Sequence, residues 1–194
     1  MCYIASTIAG YFIGRSNKEE QPLSVLQLIK LVYISHGWNL ALYDIPLISD
    51  KIEAWKYGPV MPSLYRFFEE IGLTKDDLVN SFTIEEVNCI RAEHLELLNK
   101  VYVKYEQMTG EQLTDLMHEK DTPWSAVWNN GNGRDNPIND EATKAYYARQ
   151  ITKEIFDTLP SILPINSKEK AAVFLKKAGI LMDNGELSHF YKNS

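Results

Sequence analysis

Between Ser24 and Tyr43 the chain reads SVLQLIKLVYISHGWNLALY. At about a hundred degrees per residue, Val25, Leu26, Leu28, Ile29, Leu31, Val32, Tyr33, Ile34, Trp38 and Leu40 cover nearly the whole circumference of a helix. A helix that is apolar all round belongs in the middle of a domain. The stretch from Ile84 to about Tyr105 differs. Its apolar residues Val87, Ile90, Leu97, Leu98, Val101 and Tyr105 form one stripe, with Glu85, Arg91, Glu96 and Lys100 elsewhere, so it is predicted to pack on the outside. The same patterning predicts helices over residues 2–14, 60–71, 110–118 and 139–157, the last opened by Asn139, Asp140 and Glu141.

Helix starts are the clearest local signals. LSVLQL offers Ser24 as N-cap, Gln27 three positions on, and a Leu23–Leu28 staple. FTIEEV repeats the device with Thr83, Glu86 and Phe82–Val87, and MTGEQL with Thr109, Gln112 and Met108–Leu113. The expected fold is therefore mainly α, a compact helical domain around the central apolar helix at about 24–43.

Two irregular segments interrupt the helices. In DIPLISDKIEAWKYGPV, Ile45, Leu47 and Ile52–Trp55 predict a minor β-hairpin or ribbon near 45–56, after which Gly58-Pro59 turns the chain into a helix. In EKDTPWSAVWNNGNGRDNPI, Pro123 starts a short helix carrying Trp124 and Trp128 before the Asn/Gly cluster breaks it. Beyond Leu159-Pro160 the composition shifts. A helix over about Lys168–Ala178 and a hairpin turning at Asp183-Asn184-Gly185 are expected there. The expected organisation is a helical domain over 1–157 and a small appendage over 158–194, packed on the body or used for partner binding.

Hydrophobic residues make up 45% of the 194 residues and charged residues 24%, an ordinary globular balance. A net charge of −6 without a Lys/Arg run argues against direct nucleic-acid binding and suits a basic partner. Two cysteines, Cys2 and Cys89, without a CxxC pattern, fit a reducing, cytoplasmic setting. The apolar N-terminus lacks preceding positive charge and is too interrupted to span a bilayer, so no membrane association is expected.

Chemistry-bearing constellations are sparse. Asp115 and His118 lie at i, i+3 on one predicted helix and, with Glu53, are the only combination worth weighing as a metal-dependent site. A histidine that hydrogen-bonds near its helix end is the plainer reading of His118. His36, inside the apolar helix, is expected to be a satisfied core histidine rather than a base. No nucleophile elbow or phosphate-cradling loop occurs, so neither catalytic residues nor a cofactor or metal are expected. The aromatics say more. Trp38 reads as core, whereas Trp55, Tyr57 and Trp124, on proline-stiffened irregular chain, suit either a core closure or interface anchors.

The run LQLIKLVYISHGWNLALYDIPLISDKIEAWKYGPVMPSLYRFF resembles the signature block of the Panacea family, the SocA-like group once labelled phage-associated GepA-like proteins. The matching elements are Leu28, Lys30, Leu31, Tyr33 and Trp38, then Pro46-Leu47. After them come Ile52, Glu53, Ala54, Trp55, Tyr57, Gly58, Pro59, Val60, Pro62 and Tyr65. A second block resembles Leu113, Leu116, His118, Pro123 and Trp124, with Met117 departing from the threonine the pattern has there. The resemblance covers about residues 3–157. It implies an antitoxin of a bacterial or prophage toxin–antitoxin pair that neutralises a cognate toxin, encoded by a neighbouring gene, through direct contact. One branch of the family implies an alternative, a proteolytic adaptor delivering its toxin to a ClpXP-type protease. The motif residues Glu53, Trp55, Tyr57, Gly58, Pro59, Val60, Pro62, His118, Pro123 and Trp124 then either bind the partner or define the fold.

Overall fold

In the computed structural model, which describes residues 2–71 and 89–162, the all-round apolar stretch is helix α2, Val25–Tyr43. Every residue from Leu28 to Gly37 is buried. Around it pack α1 (Ala5–Lys18), α3 (Pro62–Ile71), α4 (Ala92–Tyr105), α5 (Gly110–His118) and α7 (Asp140–Ile162). A short α6, Pro123–Trp128, and a hairpin of β1 (Glu53–Trp55) and β2 (Gly58–Val60) complete the described elements. The fold is mainly α with one small antiparallel sheet, and α2 is its axis. No helix among the described residues is long and apolar enough to cross a membrane.

Two capping boxes form as the sequence dictates. Ser24 accepts from the Gln27 amide while the Gln27 side chain accepts from the Ser24 amide, and Thr109 and Gln112 do the same at α5. Each satisfies amide donors that a helix start leaves unpaired. The third box, at Thr83 and Glu86, lies outside the described residues, as do the predicted helix at Lys168–Ala178 and the hairpin at Asp183–Gly185. Helix α7 continues to Ile162, past the predicted end at 157.

Three boundaries differ from the sequence reading. The helix expected from Ile84 begins, within the described residues, at Ala92, with Arg91 in extended conformation as its N-cap. The reason is tertiary. The Tyr3 hydroxyl accepts from the Arg91 amide at 3.0 Å and donates to His94 Nδ1 at 2.9 Å, which pins the chain before its first turn. The N-terminal helix starts at Ala5 rather than residue 2, because Tyr3 is drawn into a parallel bridge with Ile48. The Asp50 carboxylate then accepts from the Ala5 amide at 2.7 Å and from the Ser63 hydroxyl, tying the start of α1 to that of α3. The hairpin, finally, sits at 53–60 rather than 45–56, so Gly58-Pro59 is its second strand, not a helix start.

The α2–α7 contact is close. A Cβ on Gly37 would lie 2.1 Å from the Tyr147 ring. His36 is satisfied at the same seam. Its Nδ1 accepts from the Ile48 amide (3.4 Å) and its Nε2 donates to Asp140 (3.0 Å). Gly37→Ala is therefore expected to force the helices apart at a cost of about 1–3 kcal/mol. A urea midpoint would register this, whereas an alanine at Gly14, which has open space around its Cα, should be benign.

Candidate functional site

The hairpin is built around Gly58. Neither turn residue, Lys56 nor Tyr57, takes a positive φ, so the left-handed step falls on Gly58 at φ 103°. A side chain has no room there. A Cβ would sit 2.8 Å from Lys30 Nζ and 3.3 Å from the Met117 Cβ. Pro59 faces Ala54, whose amide donates to Asn136 (2.9 Å) and whose carbonyl accepts from Asp135 (2.9 Å), both away from β2. Pro59 is thus at the one register position whose own amide would also point outward, where a missing donor costs nothing.

Under the hairpin lies Lys30, fully buried on α2. Its Nζ donates to the Pro59 carbonyl at 3.0 Å. Burial pushes its pKa down to about 7, and no carboxylate offsets that shift. A lysine in the midst of an apolar helix has no polar face to snorkel toward, so it must find a partner inside. That signal was present in the sequence, between Ile29 and Leu31, but its target was not.

Two further elements brace the hairpin. Thr122 Oγ1 donates to the Met117 carbonyl at 2.7 Å, closing α5, and accepts from the Ser125 amide at 3.1 Å, capping α6. Pro123 occupies the first turn, where its lost amide is not missed. This short, double-capped corner aims Trp124 inward. The ring is 5% exposed and its Nε1 donates to the Trp55 carbonyl at 2.8 Å. His118 stacks on Trp124 at 4.0 Å and 13°, and Trp128 stacks on Trp124 at 5.3 Å and 17°. Burial, with the Lys30 charge second, holds the His118 imidazole below its ordinary pKa.

The motif residues divide by burial. Gly58, Pro59, Val60, Pro123 and Trp124 are buried, whereas Glu53, Trp55 and Pro62 are half-buried. Trp55 Nε1 donates to Glu53 (3.1 Å), and its ring meets Tyr65 edge-on at 5.2 Å. Tyr57 and His118 are exposed, Tyr57 by 59%. Of the three groups weighed for a metal, Glu53 is engaged with Trp55 and His118 with Trp124, while Asp115 is exposed on α5. Among the described residues no set of three or more His, Cys, Asp or Glu side chains converges on a common point. A groove of about 560 Å³ lies elsewhere, between α2, α4, α5 and α7, with mainly aromatic and aliphatic walls that include Trp38, Leu116 and Tyr147.

Gly58→Ala is expected to lower stability by about 2–4 kcal/mol, the sum of left-handed strain and overpacking against Lys30. Lys30 also sets a pH dependence. The unfolded amine keeps its proton to 10.5 and the folded one only to about 7, so unfolding takes up a proton between these values. Stability therefore rises with pH across that window. The buried Tyr33 and Tyr147 hydroxyls, raised above 10.0 by burial, act oppositely, since the unfolded phenols ionise first. Urea midpoints should climb from about pH 7 toward about pH 10 and fall beyond. Lys30→Met should flatten the rising limb and leave the fall.

Comparison with known proteins places this arrangement. Residues 28–125, which span α2, the hairpin, α5 and the Pro123-Trp124 corner, match the family described as Antitoxin SocA-like, Panacea domain. A relative titled Antitoxin SocA, from Caulobacter vibrioides (strain NA1000 / CB15N), is 30% identical over 133 residues, covering 64% of this chain and 70% of the relative. No solved structure matches. With half of the chain, from Lys30 and the hairpin to the Trp124 corner, matched to that family and a 30% identical relative beside it, the chain belongs to the SocA-like, Panacea-domain family.

Proposed function

We propose that this chain is an antitoxin-like protein that neutralises a cognate toxin, encoded by a neighbouring gene, through direct protein–protein contact and without catalysis. The observation that carries the reading is the hairpin tip. Tyr57 is 59% exposed on a turn whose backbone is held by Lys30, by α5 and by Trp124. A large ring on immobilised backbone loses little entropy when it is buried by a partner, which makes it a good anchor. Family membership and the relative titled Antitoxin SocA support the same reading. The buried motif residues Gly58, Pro59, Val60, Pro123 and Trp124 hold the shape, and the exposed ones meet the partner. The acidic balance of −6 favours encounter with a basic surface.

Co-expression with the product of the adjacent gene tests this. The expected result is rescue of growth and a co-purifying complex in cells with or without ClpXP. A partner that is harmless alone, or that kills equally well beside this protein, sinks the proposal. A partner that disappears only when the protease is present would favour the adaptor alternative. Within the complex, Tyr57→Ala should weaken binding at least tenfold, about 1.4 kcal/mol or more. Its effect on the melting of the free protein should stay within about 0.5 kcal/mol. Trp124→Ala should instead cost about 3–5 kcal/mol of stability, because its ring is core.

A further inference from the structure

Helix α5 carries Glu111, Asp115 and His118 at i, i+4 and i+7, and all three are exposed, so they form one stripe along its outer face. The hairpin tip lies against this stripe. Thr114 Oγ1, beside Asp115 on the same helix, is 3.5 Å from the Tyr57 carbonyl, and Met117 lies against Gly58. The exposed Asp115 carboxylate and His118 imidazole thus lie one turn apart on α5, beside a hairpin tip that carries the exposed Tyr57 ring. From this placement we propose that the Tyr57–Asp115–His118 surface reads an arginine side chain on the partner, its guanidinium lying on a ring face and pairing with Asp115. The inference rests on the reading of this chain as a partner-binding protein and names the chemistry that binding uses.

Several observations favour guanidinium over other groups. The inner face of His118 is packed on Trp124 at 4.0 Å, so the ring is fixed rather than swinging, and a fixed plane suits a planar cation. Burial and the Lys30 charge lower the imidazole's pKa, which disfavours the protonated ring that would repel that cation. Lys56 Nζ already lies over one face of Tyr57, 5.2 Å from its ring centroid, so the ring accepts positive charge there and an incoming guanidinium must use its other face or displace the ammonium. Asp115 supplies two carboxylate oxygens, which match the forked donors of arginine better than the point charge of lysine. Glu119, at the exposed C-terminal end of α5, adds negative charge nearby, and Lys56 and the buried Lys30 are the opposing charges.

The test uses two peptides of equal charge, acetyl-(Arg-Gly)₃-amide and acetyl-(Lys-Gly)₃-amide, titrated at pH 7.5 and low salt into the full chain while the His118 and Tyr57 ring resonances are followed by NMR. The arginine peptide should shift both rings saturably, with the lysine peptide at least fivefold weaker. Asp115→Asn should weaken the arginine peptide about tenfold, and Glu69→Gln, on the exposed side of α3, should leave it unchanged. His118→Phe, which keeps a stacked ring, should bind within threefold of the parent, whereas His118→Ala should not, at equal melting temperature. Equal shifts by both peptides, or ring resonances that do not move, overturn the proposal. Because no toxin enters the titration, a positive result beside a failed neutralisation assay would sink the antitoxin reading alone. A negative result beside successful neutralisation would sink only the arginine assignment.

Discussion

A lysine amine buried beneath a proline carbonyl organises this molecule. Lys30 projects from the axial helix, burial lowers its pKa to about 7, and its Nζ donates to the Pro59 carbonyl at 3.0 Å. Taking an amine out of water without that acceptor would be costly, so the hairpin cannot drift from α2 without orphaning a buried donor. The same atom explains the residue beside it. Gly58 takes the left-handed φ of the hairpin turn, and the lack of space for a Cβ comes from Lys30 and the helix α5 that closes over it. Three neighbours in the motif, Gly58, Pro59 and the distant Lys30, are thus one physical unit.

That unit decides what kind of surface the hairpin can offer. The outer edge of β1 is taken by the chain at 135–138, through Ala54 and Ile52. The outer edge of β2 has no amide at Pro59, and its carbonyl there is taken by Lys30. A partner strand therefore finds no ladder to extend. What remains available is the turn, where Tyr57 presents an exposed side chain. A domain that holds its backbone so firmly while leaving the tip to side chains is suited to changing partners by changing surface residues, with the buried frame kept.

The corner between α5 and α6 shows how few groups set that frame. One hydroxyl, Thr122, closes one helix and caps the next, and the turn it makes delivers Trp124 to the Trp55 carbonyl. The ring then serves as a wall for His118, so a residue that is exposed is still held in one plane. Core and surface are coupled here through stacking. His118 can be at once part of the shape and part of the contact.

Much of the helical frame was legible in the chain itself, because its causes are local. The all-round apolar pattern of α2 and the Ser24/Gln27 and Thr109/Gln112 boxes depend only on residues within a turn or two of one another. Pro123 and the Asn/Gly break after Trp128 are equally local, and the structure has them where the sequence reading put them. The burial split between Trp124 and Tyr57 was not legible, since both are aromatic residues on proline-flanked irregular chain. Nor was the hairpin register, because the pairing of Glu53 with Val60 depends on a lysine 23 positions before Glu53 and on a strand-like return 77 positions after Val60. By itself the sequence determined which segments coil and that the second helix is the axis, since propensity, caps and periodicity act over a few residues. Only the tertiary structure decided which motif residues are frame and which are face, because a side chain's exposure depends on what distant chain is folded against it.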